Sequence, residues 1–107
     1  LIYRLVYNLV ENAIKYNHTG GQVTVTADRK EKQVHLSVAD TGNGIPEELR
    51  ERVFEPFFRV DKSRSRALGG VGLGLALVHE IVRVHDGSIT VRSNPSGGTI
   101  FDVMFAQ

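Results

Sequence analysis

The apolar residues of this chain switch between a helical spacing and a strand spacing, and that alternation limits the folds open to it. Leu1, Leu5, Leu9 and Ala13 recur every fourth residue with Val6, Val10 and Ile14 beside them, so residues 1–16 read as a helix. Residues 22–28 and 33–40 alternate as strands, and the polar link Arg29–Lys32 makes them a hairpin. Pro46 suits the first turn of a short helix running to Val53, with Glu47 and Glu48 at its positive end. Residues 54–71 follow neither period: they are aromatic at the start, basic in the middle and glycine-rich at the end. A stretch that long without a period suits a functional lid. Residues 73–85 form a second long helix, apolar around most of its circumference and so expected to be deeply packed, and Asp86-Gly87 ends it. Residues 88–93 and 99–105 are two further strands joined by the turn Asn94-Pro95-Ser96-Gly97-Gly98. This order predicts an α+β domain, a two-layer α/β sandwich with a mixed, mostly antiparallel sheet covered on one face by about three helices.

Composition removes several function classes. A chain of 107 residues is one domain and buries a core without metals or disulfides. It has no cysteine, hence no disulfide framework and no Cys-based zinc site. A net charge of +1 gives no broad field for nucleic acid. No apolar run approaches the ~20 residues that span a bilayer, so no direct membrane insertion is expected. The first helix opens in mid-pattern without a cap before Leu1, from which we expect a fragment cut near a helix start. The glycines cluster at 42–44, 69–74 and 97–98, as expected where backbone is approached closely or needs a positive φ.

Four blocks carry candidate chemistry. On the first helix Arg4, Asn8, Glu11, Asn12 and Lys15 form a polar stripe opposite the apolar one. Asparagine is a mediocre helix former, so two on one stripe need a reason. An amide oxygen suits Mg²⁺ and a nearby lysine suits phosphate, although a solvated face explains the stripe alone equally well. Asp40-Thr41-Gly42-Asn43-Gly44-Ile45 places a carboxylate at a strand end, able to accept from an exocyclic amine, with glycines that let backbone lie close to a flat ring; read alone it is also a simple turn. Phe54-Glu55-Pro56-Phe57-Phe58-Arg59 is followed by Lys62, Arg64 and Arg66, cations suited to a polyphosphate. Phe54 by itself reads as core. Gly70-Val71-Gly72-Leu73-Gly74-Leu75 runs into a helix N-terminus, an anion site by its free N–H groups and dipole. The dinucleotide fingerprint fails here because no strand precedes the glycines, and the Walker Gly-Lys-Ser/Thr is absent.

In order and spacing, these blocks together with Gly97-Gly98-Thr99-Ile100-Phe101 resemble the catalytic ATP-binding domain of sensor histidine kinases, within the wider group that includes gyrase, Hsp90 and MutL. The resemblance covers nearly the whole chain and implies the Bergerat fold with an ATP lid. It implies that residues 1–107 are the catalytic domain, with the first strand and the dimerisation and phosphoacceptor domain absent from the fragment. It also implies the following roles. Asn12 is the Mg²⁺ ligand, Asn8 sits one turn earlier beside the phosphates, and Lys15 contacts phosphate. Tyr16 packs on the base or ribose. Asp40 binds the adenine amino group in a pocket shaped by Gly42 and Gly44, with Ile45 against the ring. Phe54 counts with the nucleotide site, and Arg59 reaches toward the phosphates. Gly70, Gly72 and Gly74 frame the lid's end, anchored by Leu73 and Leu75, and Thr99 lines the adenine side.

The reaction implied is transfer of the ATP γ-phosphoryl to a histidine on a separate helical dimerisation domain. The implied partners are that domain and a response regulator. The implied setting is the cytoplasmic part of a membrane-bound sensor. His79-Glu80 superficially matches the family's acceptor pair but continues as Ile-Val-Arg inside the apolar helix, so it is read as structural. Val71 stands where the family often has Thr or Ser, and Asp86 where Gly is common. Two same-fold alternatives remain. A hydrolytic ATPase carries a glutamate base four residues before the Mg-binding Asn, where this chain has Asn8. A serine kinase of the anti-sigma-factor type fits the lid pattern Asp61-Lys62-Ser63-Arg64-Ser65 less well.

Overall fold

The computed structural model of the chain describes residues 2–58 and 73–106. The elements run α1 (Ile2–Lys15), β1 (Val23–Lys30), β2 (Gln33–Asp40), two single 3-10 turns (Glu47–Leu49 and Arg52–Phe54), α2 (Gly74–Val84), β3 (Ser88–Ser93) and β4 (Thr99–Ala106). Among the described residues the sheet has four strands in the order β1-β2-β4-β3, every pairing antiparallel. That agrees with the expected two-layer fold and its mostly antiparallel sheet, and no parallel pairing occurs among the described residues.

The core lies where both helices cover the middle strands. Leu5, Leu9 and Ala13 of α1 meet Val78, Ile81 and Val82 of α2, above Leu36 and Val38 of β2 and Phe101 and Val103 of β4. The four-residue repeat of α1 puts its buried residues on one stripe, and Leu9 is fully enclosed. Strand alternation does the same for β2, where Leu36, Val38 and Asp40 point inward. Burying a leucine of this kind stabilises by about 1.5–3 kcal/mol.

Three local expectations change. The helix expected from Pro46 to Val53 is instead the pair of 3-10 turns, closed by Leu49 N–H to Pro46 O (2.9 Å) and Glu55 N–H to Arg52 O (2.9 Å). A segment this short gains too few i→i−4 bonds to offset helix nucleation. The first hairpin is longer than expected, because Arg29 pairs with Val34 and Lys30 with Gln33, leaving only Glu31 and Lys32 as the turn. Ladder bonds use backbone, so charged side chains pointing to solvent do not end a strand. Finally, α2 is deeply packed on one side only: Leu73, Leu77 and Val84 are 43%, 41% and 54% exposed.

Candidate functional site

The candidate residues meet where β2 ends. Pairing of β2 with β4 stops at Ala39 and Ile100, so Asp40 projects one residue past the ladder. It is nevertheless 6% exposed. A buried carboxylate is costly without donors, and here its Oδ1 accepts the backbone N–H of Gly42 at 2.9 Å and of Thr99 at 3.2 Å. Its backbone carbonyl accepts the side-chain amide of Asn94 at 2.8 Å. The two backbone amide bonds satisfy Oδ1 and fix the side-chain rotamer. They leave Oδ2 to meet a donor from outside.

Two glycines allow this arrangement. A Cβ at Gly98 would lie 2.2 Å from the Asp40 carbonyl oxygen and 2.7 Å from its Oδ1. A Cβ at Gly42 would lie 2.3 Å from the Tyr16 carbonyl oxygen. Only backbone without a side chain comes that close. The Asp40 loop therefore sits directly on the C-terminal end of α1, where Asn43 N–H donates to Tyr16 O at 3.3 Å. Asn17 completes the junction: its amide donates to Gln22 O at 2.9 Å, while its Oδ1 lies 3.3 Å from the Thr41 hydroxyl. The Thr41 hydroxyl in turn accepts Gln22 N–H at 2.9 Å. Ile45 packs against the core from the same loop, and Arg50 ties that segment to β3 through Ser93 Oγ at 2.6 Å.

On α1 the polar residues divide into two rows. Asn8 and Asn12 are half-buried one turn apart. The Asn8 amide donates to Arg4 O at 2.7 Å, and its Oδ1 is 3.3 Å from the place a Cβ would occupy at Gly74, which brings the start of α2 against this face. Glu11 forms the second row with Lys15, Nζ to Oε1 3.6 Å. It also accepts from Tyr7, which raises the phenol pKa above its ordinary value. An exposed i,i+4 pair such as Glu11–Lys15 is worth about 0.3–0.5 kcal/mol, so the lysine is only weakly held by it.

The first helix, the Asp40 loop, Gly74 and Thr99 are thus brought together from distant parts of the chain. Tyr16 is half-buried at the junction, Gly44 has φ +75° beside Gly98, Leu73 is exposed at the start of α2, and Leu75 is half-buried against the core. Phe54 goes elsewhere: its ring packs edge-on against Phe101 (6.2 Å between centroids) and tilts against His79 (5.5 Å). Arg59, Gly70, Val71 and Gly72 lie outside the described residues. Sequence reasoning missed Asn17 and Asn94. An Asn-Pro step in a turn marks Asn94 as a bend, but nothing local shows that its amide reaches a residue 54 positions earlier.

Comparison with known proteins agrees with this geometry. The profile of the histidine kinase-, DNA gyrase B- and HSP90-like ATPases matches residues 1–107. The chain belongs to that family. It is 46% identical over 107 residues to the sensor-like histidine kinase SenX3 of Mycolicibacterium smegmatis, covering all of this chain and 28% of that protein. It is 45% identical over 102 residues to the sensor histidine kinase RppB of Synechocystis, covering 95% of this chain and 22% of that protein. The chain thus spans about a quarter of the length of these curated relatives. Among solved structures, the mycobacterial sensor histidine kinase MprB superimposes with a TM-score of 0.85 at 35% identity, over 96% of this chain and 70% of that one. Full-length ShkA in complex with AMPPNP superimposes with a TM-score of 0.81 at 32% identity, over 99% of this chain and 22% of that one. The family's two-layer fold is the one described above, and no helix among the described residues is long and apolar enough to cross a membrane.

Proposed function

We propose that this chain binds Mg-ATP and donates the γ-phosphoryl group to a histidine on a separate dimerisation domain of a two-component sensor kinase. The observation that carries the reading is Asp40: a buried carboxylate with one oxygen held by two backbone amides and the other left for a donor such as the adenine amine. Gly42 and Gly44 border this position, and Thr99 fixes it from β4. One α-helical turn separates Asn8 from Asn12, and Lys15 follows them toward the Asp40 loop. Asn12 would hold Mg²⁺ through its amide oxygen, and Lys15 would contact phosphate. The donor set suits a hard ion brought with the nucleotide: among the described residues no group of three or more His, Asp or Glu could hold one alone. Bound Mg²⁺ supplies neutralisation of phosphate charge. The protein's own share is positioning: Asp40 orients the base, and α1 aligns the phosphates for attack by an external imidazole nitrogen.

The ThkA histidine kinase, in complex with the response regulator TrrA, superimposes at a TM-score of 0.78 and 30% identity over 98% of this chain. That supports a response regulator as the downstream partner. Hydrolysis is disfavoured by the α1 face. Asn8 stands where a hydrolytic base is required and cannot take a proton from water, and Glu11 is already engaged by Lys15 and Tyr7. The test is Asn12→Ala in the full kinase: Mg-ATP-dependent autophosphorylation should disappear while the thermal midpoint stays near that of the parent. Normal autophosphorylation in this variant would remove Asn12 from the role.

A further inference from the structure

The Asp40 carboxylate is oriented by more than its own two hydrogen bonds. Because the β2–β4 ladder ends at Ala39 and Ile100, the next carbonyl of β2, that of Asp40, has no ladder donor from β4. The Asn94 side-chain amide supplies one at 2.8 Å from across the β3–β4 turn. Asn94 is itself held at four points. Its Oδ1 accepts Ser96 N–H at 3.1 Å, its N–H donates to Gly98 O at 3.1 Å and its carbonyl accepts Gly97 N–H at 2.8 Å, while its amide makes the Asp40 bond. The turn is therefore a closed unit whose only side-chain reach into the site is this amide. The same turn delivers Gly98 against Asp40 and the Thr99 N–H onto Oδ1.

We propose that Asn94 is a positioning residue for base recognition: by fixing the Asp40 backbone at the strand end it sets the aim of Oδ2 at the exocyclic amine of the purine. The proposal rests on the nucleotide-site reading of Asp40. It touches no substrate and acts through Asp40 alone, so its signature is selective. Losing it weakens nucleotides that carry the amine and leaves those that lack it unchanged.

The experiment is isothermal titration of the full chain, in Mg²⁺, with ATP and with purine riboside triphosphate, whose base lacks the amine. Asn94→Asp keeps the acceptor for Ser96 N–H but cannot donate to Asp40. Asn94→Ala removes both bonds without adding charge, which covers the case in which the new carboxylate disrupts the turn. In each variant ATP affinity should fall about fivefold, as for one neutral hydrogen bond, with analogue affinity unchanged and the ATP preference shrinking accordingly. A parent that prefers ATP and variants that keep the full preference would overturn the role of Asn94 alone. Equal loss for both nucleotides would do the same, since it is the mark of a purely structural turn residue. A parent with no preference for ATP over the analogue would overturn the reading of Asp40 itself, and this proposal with it.

Discussion

Gly97 and Gly98 allow the Asp40 site to be tested by a difference between neighbours. Both have positive φ, +97° and +94°, so replacing either with alanine imposes a similar backbone penalty, about 1–3 kcal/mol for a residue held in a sparsely populated region. Their surroundings differ. A Cβ at Gly97 meets nothing within 4 Å, whereas one at Gly98 meets the Asp40 carbonyl oxygen at 2.2 Å, Asp40 Oδ1 at 2.7 Å and the Gly42 nitrogen at 2.7 Å. These are backbone atoms or an already clamped carboxylate, so the strand ends must separate. That overpacking costs about 1–3 kcal/mol. Separation also stretches the Asn94, Thr99 and Gly42 bonds to Asp40, each worth about 1 kcal/mol. Gly98→Ala should therefore be less stable than Gly97→Ala by about 2–4 kcal/mol. With a urea slope of about 2 kcal/mol/M, the middle of the range for small domains, the two midpoints should differ by about 1–2 M. Mg-ATP titration should show a loss of at least about tenfold for Gly98→Ala, since every 1.4 kcal/mol is tenfold, and little change for Gly97→Ala. Coincident urea midpoints and equal affinities for the two variants would refute the claim that Asp40 is held by close backbone approach.

Two further expectations address the frame of the domain. Leu9→Ala, at a site with no exposure in the centre of the core, should cost about 2–5 kcal/mol, read from urea unfolding. A loss well under that range would mean the α1–sheet contact is looser than described. On the outer sheet face burial pushes the Asp102 carboxyl up, but the Arg92 guanidinium, the Ser37 hydroxyl and His35 outweigh it and hold the carboxyl below its ordinary value. A depressed folded pKa means its stabilisation is present above the unfolded carboxyl pKa and is lost as pH falls through the folded one. Stability followed from pH 5 downward should therefore drop more steeply in the parent than in Asp102→Asn; parallel curves would exclude the linkage.

Much of this molecule was legible in its local patterns. The repeat of Leu5, Leu9 and Ala13 identified α1 and its buried face, because helical geometry maps sequence spacing directly onto one stripe. The same holds for Leu36 and Val38, where the two-residue period decides which side chains face the helices. The spacing of Asn8, Asn12, Lys15, Asp40, Gly42 and Thr99 named the family to which the chain belongs, since those residue types recur in fixed order along it. The length of the first hairpin and the splitting of the 46–53 helix were not legible. Each depends on competition between backbone bonds, which charged or short segments do not advertise.

What only the tertiary structure decided is how Asp40 is held. Asn94, Gly98 and Thr99 lie more than fifty residues from it, and each acts through a backbone group or an amide whose partner is chosen by strand register. Phe54 illustrates the same division: its aromatic block marked it as core, while packing chose Phe101 and His79 as its neighbours. Sequence alone specified Asp40, the glycines and the polar stripe of α1 as candidate groups, but neither Asn17 nor Asn94. The fold specified their aim, because a hydrogen bond between distant residues depends on where the chain returns, and no local period encodes that return.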